Sequence, residues 1–173
     1  MNIRVIFAAL VATWGWQYEA AGLILSHRGT AENVSISLPD APTPVERHAA
    51  GELRRYARRI TGAGICAPVR IGRDAELDED AFRLRARNGE LRIDGNGRGC
   101  LYGVYEVLER FGRCGWFSPT TESVPPADEL AVPDVLDEVQ KPAFRMRTTS
   151  WRTARDNQRF AAKLRLNGYT RPV

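Results

Sequence analysis

The stretch LRIDGNGRGCLYGVYEVLERFGRCGWFSP, residues 91–119, decides how this chain folds. Leu91 and Ile93 alternate with Arg92 and Asp94, the two-residue period of a strand with one wet face. Gly95, Gly97 and Gly99 follow, and glycine lets a backbone reverse through positive φ without a steric penalty. Leu101, Val104, Tyr105, Leu108 and Phe111 then recur at the three-and-four spacing of a helix face. Glu106, Glu109 and Arg110 fall mostly off that face, and Gly112 stands where a left-handed residue would close the helix. Gly103 lies mid-helix at a cost of roughly 1 kcal/mol against alanine, which implies a close neighbour.

Strand, glycines and helix in that order invite a dinucleotide-binding loop. The fingerprint G-x-G-x-x-G fails, because Gly95 and Gly97 lead to Cys100, while Gly97 and Gly99 lead to Tyr102. The strand also alternates, whereas the first strand of a parallel α/β sheet is apolar throughout. The glycines therefore read as structural.

Upstream, Asn88-Gly89 predicts a two-residue hairpin between Phe82–Arg87 and Glu90–Asp94. Its register puts Ala86 beside Leu91 and Leu84 beside Ile93 on one apolar face. On the other face Arg87 meets Glu90 and Arg83 meets Asp94, with Arg85 opposite Arg92 as the one unfavourable pair. Further upstream, Thr43-Pro44-Val45-Glu46 is a capping box with proline at the first helical position. Val45, Ala49, Leu53, Tyr56 or Ala57, and Ile60 form the apolar stripe of the helix it starts, arginines line the rest, and Gly62 ends it. Leu23–Ser26, Val34–Leu38 and Val69–Gly72 read as further strands.

The segment from Arg98-Gly99 through Leu101-Tyr102-Gly103, Leu108-Glu109 and Trp116-Phe117 to Pro119 resembles one in N-terminal domains of several glycoside hydrolases. These domains precede the catalytic barrel in β-N-acetylhexosaminidases, α-glucuronidases and related proteins. Gly115 stands where that pattern usually has arginine. AAGELRRYARRITGAG (49–64) and IGRDA (71–75) resemble the first helix and the following strand of the same domains, so the resemblance covers roughly residues 20–147. It implies an accessory α+β domain that is not itself catalytic.

Composition agrees with a globular chain: 173 residues, 43% hydrophobic and 27% charged, with a net charge of +4. The arginines are interleaved with acids along the chain, which argues for solvated faces and against a nucleic-acid partner. Two histidines and three cysteines show no ligand spacing, so neither a metal nor a cofactor is expected. Cys100 and Cys114 flank one helix, about 20 Å apart at its rise per residue, too far for a disulfide. Cys100 at the helix start also raises the alternative of a lowered thiol pKa. Arg4 and the apolar run Val5–Ala12 make residues 1–20 a short leader peptide or a first strand, and point to an extracellular or periplasmic protein. That run is too short to span a membrane.

Beyond Pro119 the composition shifts. Residues 119–143 read as a proline-rich linker with an edge strand at Leu130–Val132. Phe144–Arg147 reads as a strand and Asn157–Leu166 as a helix with Phe160, Ala161 and Leu164 inward. In the glycosidases that the chain resembles, such a strand and helix open the catalytic barrel. A (β/α)₈ barrel needs about 250 residues, so 144–173 is expected to be the first βα unit of an incomplete one, poorly packed on its own.

The expected fold is an α+β two-layer sandwich at 21–118, a mainly antiparallel sheet with two helices on one face, plus the C-terminal βα fragment. Its expected partner is the catalytic barrel of a parent glycosidase, with carbohydrate as a further ligand. Catalysis within the chain would need a carboxylate pair about 5 to 9 Å apart. The acids available, Asp78, Glu79 and Asp80 or Glu106 and Glu109, read as solvated charge. Arg147 and Trp151 are the residues that the resemblance would place at a sugar site. The hexosaminidase signature Asp-x-x-Arg is missing there, since Thr148-Thr149-Ser150 follows Arg147. The competing reading is a stand-alone carbohydrate-binding module with Trp116 and Phe117 as its platform.

Overall fold

The computed structural model describes residues 22–31 and 34–168, so the expected leader or first strand at 1–20 lies outside the described residues. In chain order the elements are β1 (Gly22–His27), β2 (Ile36–Ser37), α1 (Pro44–Thr61), β3 (Val69–Arg73), β4 (Phe82–Arg87), β5 (Glu90–Gly95) and α2 (Gly99–Arg110). They continue with β6 (Gly115–Trp116), β7 (Glu122–Ser123), β8 (Glu129–Pro133), β9 (Leu136–Gln140), α3 (Arg152–Asp156) and α4 (Gln158–Lys163).

The Asn88-Gly89 hairpin forms in the expected register: Ala86 faces Leu91, Leu84 faces Ile93, Arg83 faces Asp94 and Arg85 faces Arg92. Phe82, Leu84, Ala86, Leu91 and Ile93 are all buried on one face. On the wet face the charges pair differently from the expectation. Asp137 of β9 lies 3.7 Å from Arg83 and 3.5 Å from Arg85, while Asp94 takes Arg92 at 3.6 Å. A third strand thus relieves the arginine opposition that the hairpin alone would suffer.

The main sheet runs β2-β3-β5-β4-β9, with small two-stranded ladders β1-β8 and β6-β7 beside it. Of the six strand pairings among the described residues, four are antiparallel; β2–β3 and β3–β5 are parallel. The parallel pair β2–β3 follows from α1, which carries the chain back along the sheet as a crossover helix. Helices α1 and α2 pack on each other and on the buried sheet face, giving the α+β two-layer sandwich. Helix α1 starts at the capping box, with Glu46 Oε2 accepting from Thr43 N at 2.5 Å, and ends at left-handed Gly62.

The end of α2 differs from the expectation. Arg113, not Gly112, takes the left-handed conformation. Gly112 is small for another reason: a Cβ there would meet Leu108 O at 2.7 Å and Ile60 Cδ1 at 2.9 Å. The segment 119–143 holds three strands, β7, β8 and β9, and β8 closes on β1. Phe144–Arg147 is not a strand, and Asn157–Leu166 shortens to α4, with Asn157 Oδ1 capping Phe160 N at 2.9 Å. Phe160 and Ala161 are buried as expected, whereas Leu164 is 38% exposed. The three cysteines are free, and burial pushes Cys100 up to about 12 and Cys114 up to about 11, which removes the option of an activated Cys100.

Asn88 and Gly89 sit at φ 54° and 76°, the primed turn that suits the twist of a hairpin. A Cβ at Gly89 would meet no atom within 4 Å, so only backbone strain opposes a side chain there. Gly89→Val should therefore lower stability by about 1–2 kcal/mol, and Gly89→Asn by clearly less. Urea denaturation midpoints that do not separate the two variants from wild type would refute the turn assignment.

Candidate functional site

The most elaborate polar arrangement in the chain sits where α1, the β6–β7 ladder and α4 meet. Trp116 Nε1 donates to Tyr56 Oη at 2.8 Å, and Tyr56 Oη donates to Glu122 Oε2 at 2.5 Å. The Trp116 ring stands edge-on to Tyr105 and Tyr56, with centroids at 5.1 and 5.8 Å. Glu122 also accepts from Arg59 and, at 2.9 Å, from Lys163. The Lys163 ammonium lies 5.4 Å from the Tyr56 ring centroid and 5.7 Å from that of Trp116, a cation held over two aromatic rings. Glu52 accepts from Arg55 at 3.0 Å and from Tyr105 Oη at 3.1 Å.

Glu52, Arg55, Glu122 and Lys163 of this network line a cavity of about 520 Å³ together with His48 and Arg159, and the aromatic rings lie behind them. Trp116 belongs to the wall's interior, 6% exposed, while Phe117 is 63% exposed. Trp116 and Phe117 therefore do not form the two-ring platform of the binding-module reading. The sequence hid this because an aromatic pair after a helix has no periodicity that says which ring turns inward.

The electrostatics are set by burial against hydrogen bonding. Burial pushes the Glu122 carboxyl up, but donors from Tyr56, Arg59 and Lys163 outweigh it and hold the group at about 2. Glu122 is thus a permanent anion and not a proton donor. Burial pushes the His48 imidazole down, and Arg159, Arg55 and Lys163 push it further, against the pull of Glu52. His48 is consequently neutral at pH 7.

A second centre surrounds Asp80, which is 6% exposed and has φ 64°. Arg147 Nη2 donates to Asp80 Oδ2 at 2.7 Å, Asn167 Nδ2 to the same oxygen at 3.0 Å, and Arg98 N to Oδ1 at 3.1 Å. Asp80 is thus a buried anion, not the solvated charge expected of a loop acid. Aspartate tolerates the left-handed backbone better than most residues, a signal that composition alone does not expose. Arg147 spends its other donors on Arg165 O at 2.7 Å and Phe144 O at 2.9 Å, and its guanidinium lies 5.7 Å from the Tyr102 ring centroid. Trp151 is 45% exposed and stands edge-on to Phe160 at 5.5 Å. The two residues singled out for a sugar site therefore join different clusters, Arg147 at Asp80 and Trp151 on α4.

The acids of α2 are tied to one cation. Arg165 Nη2 bonds Glu106 at 2.8 Å and also Glu109. Burial pushes Glu109 up, Arg165 pulls it down, and Glu106 pushes it up again. Both carboxylates are thus tied to one guanidinium and are not the solvated charge expected of them. Among the described residues no group of three His, Cys, Asp or Glu side chains could hold a metal ion, and no helix is long and apolar enough to cross a membrane.

No family model and no curated protein sequence matches the chain. Solved structures do. A family GH115 4-O-methyl-α-glucuronidase with specificity for decorated arabinogalactans aligns at a TM-score of 0.53 and 18% identity, over 70% of this chain and 19% of that one. A family GH20 exo-β-N-acetylglucosaminidase from Vibrio harveyi aligns at a TM-score of 0.49 and 16% identity, over 80% of this chain and 22% of that one. The structural neighbours are glycoside hydrolases, and the likeness is one of fold. The chain spans about a fifth of the length of each.

Two outcomes follow from these centres. The folded pKa of Glu122 lies below its unfolded value of 4.5, so its stabilisation is present above pH 4.5 and disappears as pH falls toward 2. Wild type should lose on the order of 2 kcal/mol more than Glu122→Gln between pH 7 and pH 3, and parallel denaturation curves at the two pH values would contradict this. Arg147 N, Asn167 N and Gly168 N are all bonded across the Arg147–Asn167 contact. Arg147→Gln should speed hydrogen exchange at these three amides while those of Leu101–Leu108 stay protected.

Proposed function

We propose that this chain is a non-catalytic N-terminal portion of a carbohydrate-active hydrolase, an accessory domain that supports and orients a catalytic barrel. The observation that carries the reading is the way residues 144–168 are seated on the sandwich. Asp80, buried in the α+β domain, binds Arg147 and Asn167 together, fixing the segment that the glycosidase resemblance assigns to the start of a barrel. A domain whose work is mechanical needs such a fixed joint. Phe144 and Met146, 74% and 73% exposed, are then the apolar side chains that the rest of a barrel would cover. The fold shared with part of a GH115 α-glucuronidase supports the same reading.

Between the two enzyme types that the resemblance names, the missing aspartate after Arg147 argues for an α-glucuronidase-like parent over a hexosaminidase-like one. The leader-like residues 1–20 support a site of action outside the cytoplasm. Four of the less exposed acids are committed to ion pairs. Glu52, Glu122, Glu46 and Asp80 each serve as the anionic partner of an arginine or lysine.

A glycosidase assay tests the non-catalytic role. The purified chain should hydrolyse neither 4-nitrophenyl α-glucuronide nor 4-nitrophenyl β-N-acetylglucosaminide above the buffer rate. Turnover that disappears in Glu122→Gln or in Asp80→Asn would place the chemistry in this chain and end the accessory reading.

A further inference from the structure

We propose that the cavity between α1 and α4 is a binding site for a small oxyanion, held by Arg159 and His48 with Lys163 and Arg55 behind them. The anion would be carried either on a planar carboxylate or on a tetrahedral phosphoryl or sulfo group. This site is independent of the glycosidase reading.

The argument starts from which charges are already satisfied. Glu122 accepts from three donors and Glu52 from two, so the carboxylates of the wall have little capacity left for a ligand's hydroxyls or for a metal ion. Arg55 and Lys163 are each partly spent on those acids. Arg159 is different. It lines the cavity, and among the described residues it pairs with no acid. His48, half-buried in the same wall, makes no hydrogen bond within the protein among the described residues and is pushed toward its neutral form by burial and by Arg159. Asn157 spends its side-chain oxygen on the Phe160 amide, which leaves its NH₂ as a further donor at the rim. The two lining carboxylates, Glu52 and Glu122, already accept from protein donors, so among the described residues Arg159, His48 and the Asn157 NH₂ are left facing the cavity without an acceptor.

Size and shape favour a small molecule over a macromolecular surface. A volume of about 520 Å³ is that of a pocket for a compact ligand. The charged groups that face His48 come from both walls, Glu52 and Arg55 from α1, and Arg159 and Lys163 from α4. Arg55 and Lys163 are paired with Glu52 and Glu122, so Arg159 is the uncompensated cation of the lining; an anion beside it would offset that charge and let His48 take up a proton. Binding should therefore tighten as pH falls.

The intact chain has two histidines, so the imidazole proton signals of His48 and His27 can be assigned with His48→Gln. We would titrate the protein at constant ionic strength with sodium gluconate, with its neutral counterpart sorbitol, and with sodium sulfate. The expected result is a saturable shift of the His48 signal with at least one of the two anions, none with sorbitol, and no matching shift at His27. Affinity should rise about threefold or more from pH 7.5 to pH 6.0. Arg159→Gln, a change at an exposed and unpaired residue, should weaken binding about tenfold, the loss of one charge-assisted contact. Saturation by gluconate alone assigns a carboxylate ligand, by sulfate alone a tetrahedral one, and by both an oxyanion of either kind. Unsaturable drift shared by both histidines, an equal response to sorbitol, or unchanged affinity in Arg159→Gln would overturn the proposal.

Discussion

Helix α2 lies closer to the β4–β5 hairpin than any side chain would permit, and the rest of the fold depends on that approach. A Cβ on Gly103 would stand 2.6 Å from Ile93 Cγ2 and 3.2 Å from the Phe82 ring. One on Gly99 would fall 1.8 Å from Ala81 O, and one on Gly95 2.1 Å from Cys100 N. The helix has no side-chain cap at its start. Its approach to the hairpin is set by packing, since the hairpin's apolar face fits against it once the glycines remove the obstruction. Tyr105 is thereby brought within reach of Glu52 on α1, and Tyr102 to the Arg147 guanidinium. The cavity wall and the Asp80 centre both rest on this one contact.

Much of this architecture was legible in local chemistry. Capping box, hairpin turn and apolar stripes act over a few residues, and each formed where its pattern stands. Gly103 marked a close approach correctly because a helix interior tolerates glycine poorly unless something requires it. Of the loop glycines, only Gly97 takes positive φ, at 57°, whereas Gly95 and Gly99 are needed for closeness. The parallel pairing of β3 was hidden, since alternation records which face is wet and not the direction of a neighbour. β9 was hidden too. Its residues Asp137 and Glu138 look like a surface run until Arg83, Arg85 and Arg110 are placed beside them.

The candidate site was the least legible part, for a definite reason. His48, Glu122 and Arg159 are far apart in sequence and belong to no motif. Glu122 sits in a stretch that reads as linker, and only the fold reveals that it joins Tyr56, Arg59 and Lys163 at one carboxylate. Residue type gives the charge but not whether that charge is spent. Arg147 illustrates the point from the other side: chosen as a sugar contact by resemblance, it has Nε and both terminal nitrogens donating to protein acceptors. Arg159, which no pattern singled out, pairs with no acid among the described residues.

The C-terminal segment divides according to what each half needs from its neighbours. A helix closes its own backbone hydrogen bonds and needs only an apolar surface to rest on. Helix α4 finds one, burying Phe160, Ala161 and Ala162 while the Lys163 ammonium settles over Tyr56 and Trp116. A strand needs a lateral strand to pair with, and Phe144–Arg147 has none among the described residues, so it forms no strand. In place of a ladder, Arg147 O accepts from Asn167 N and Gly168 N, Asn167 Oδ1 accepts from Arg147 N, and Asp80 anchors both residues. The segment is therefore fixed at two points, on the aromatic wall and on Asp80, although one of its halves lacks a ladder. Phe144 and Met146 project from a backbone whose position is already determined. Covering them would cost side-chain freedom but little further backbone freedom, because the chain that carries them is already anchored.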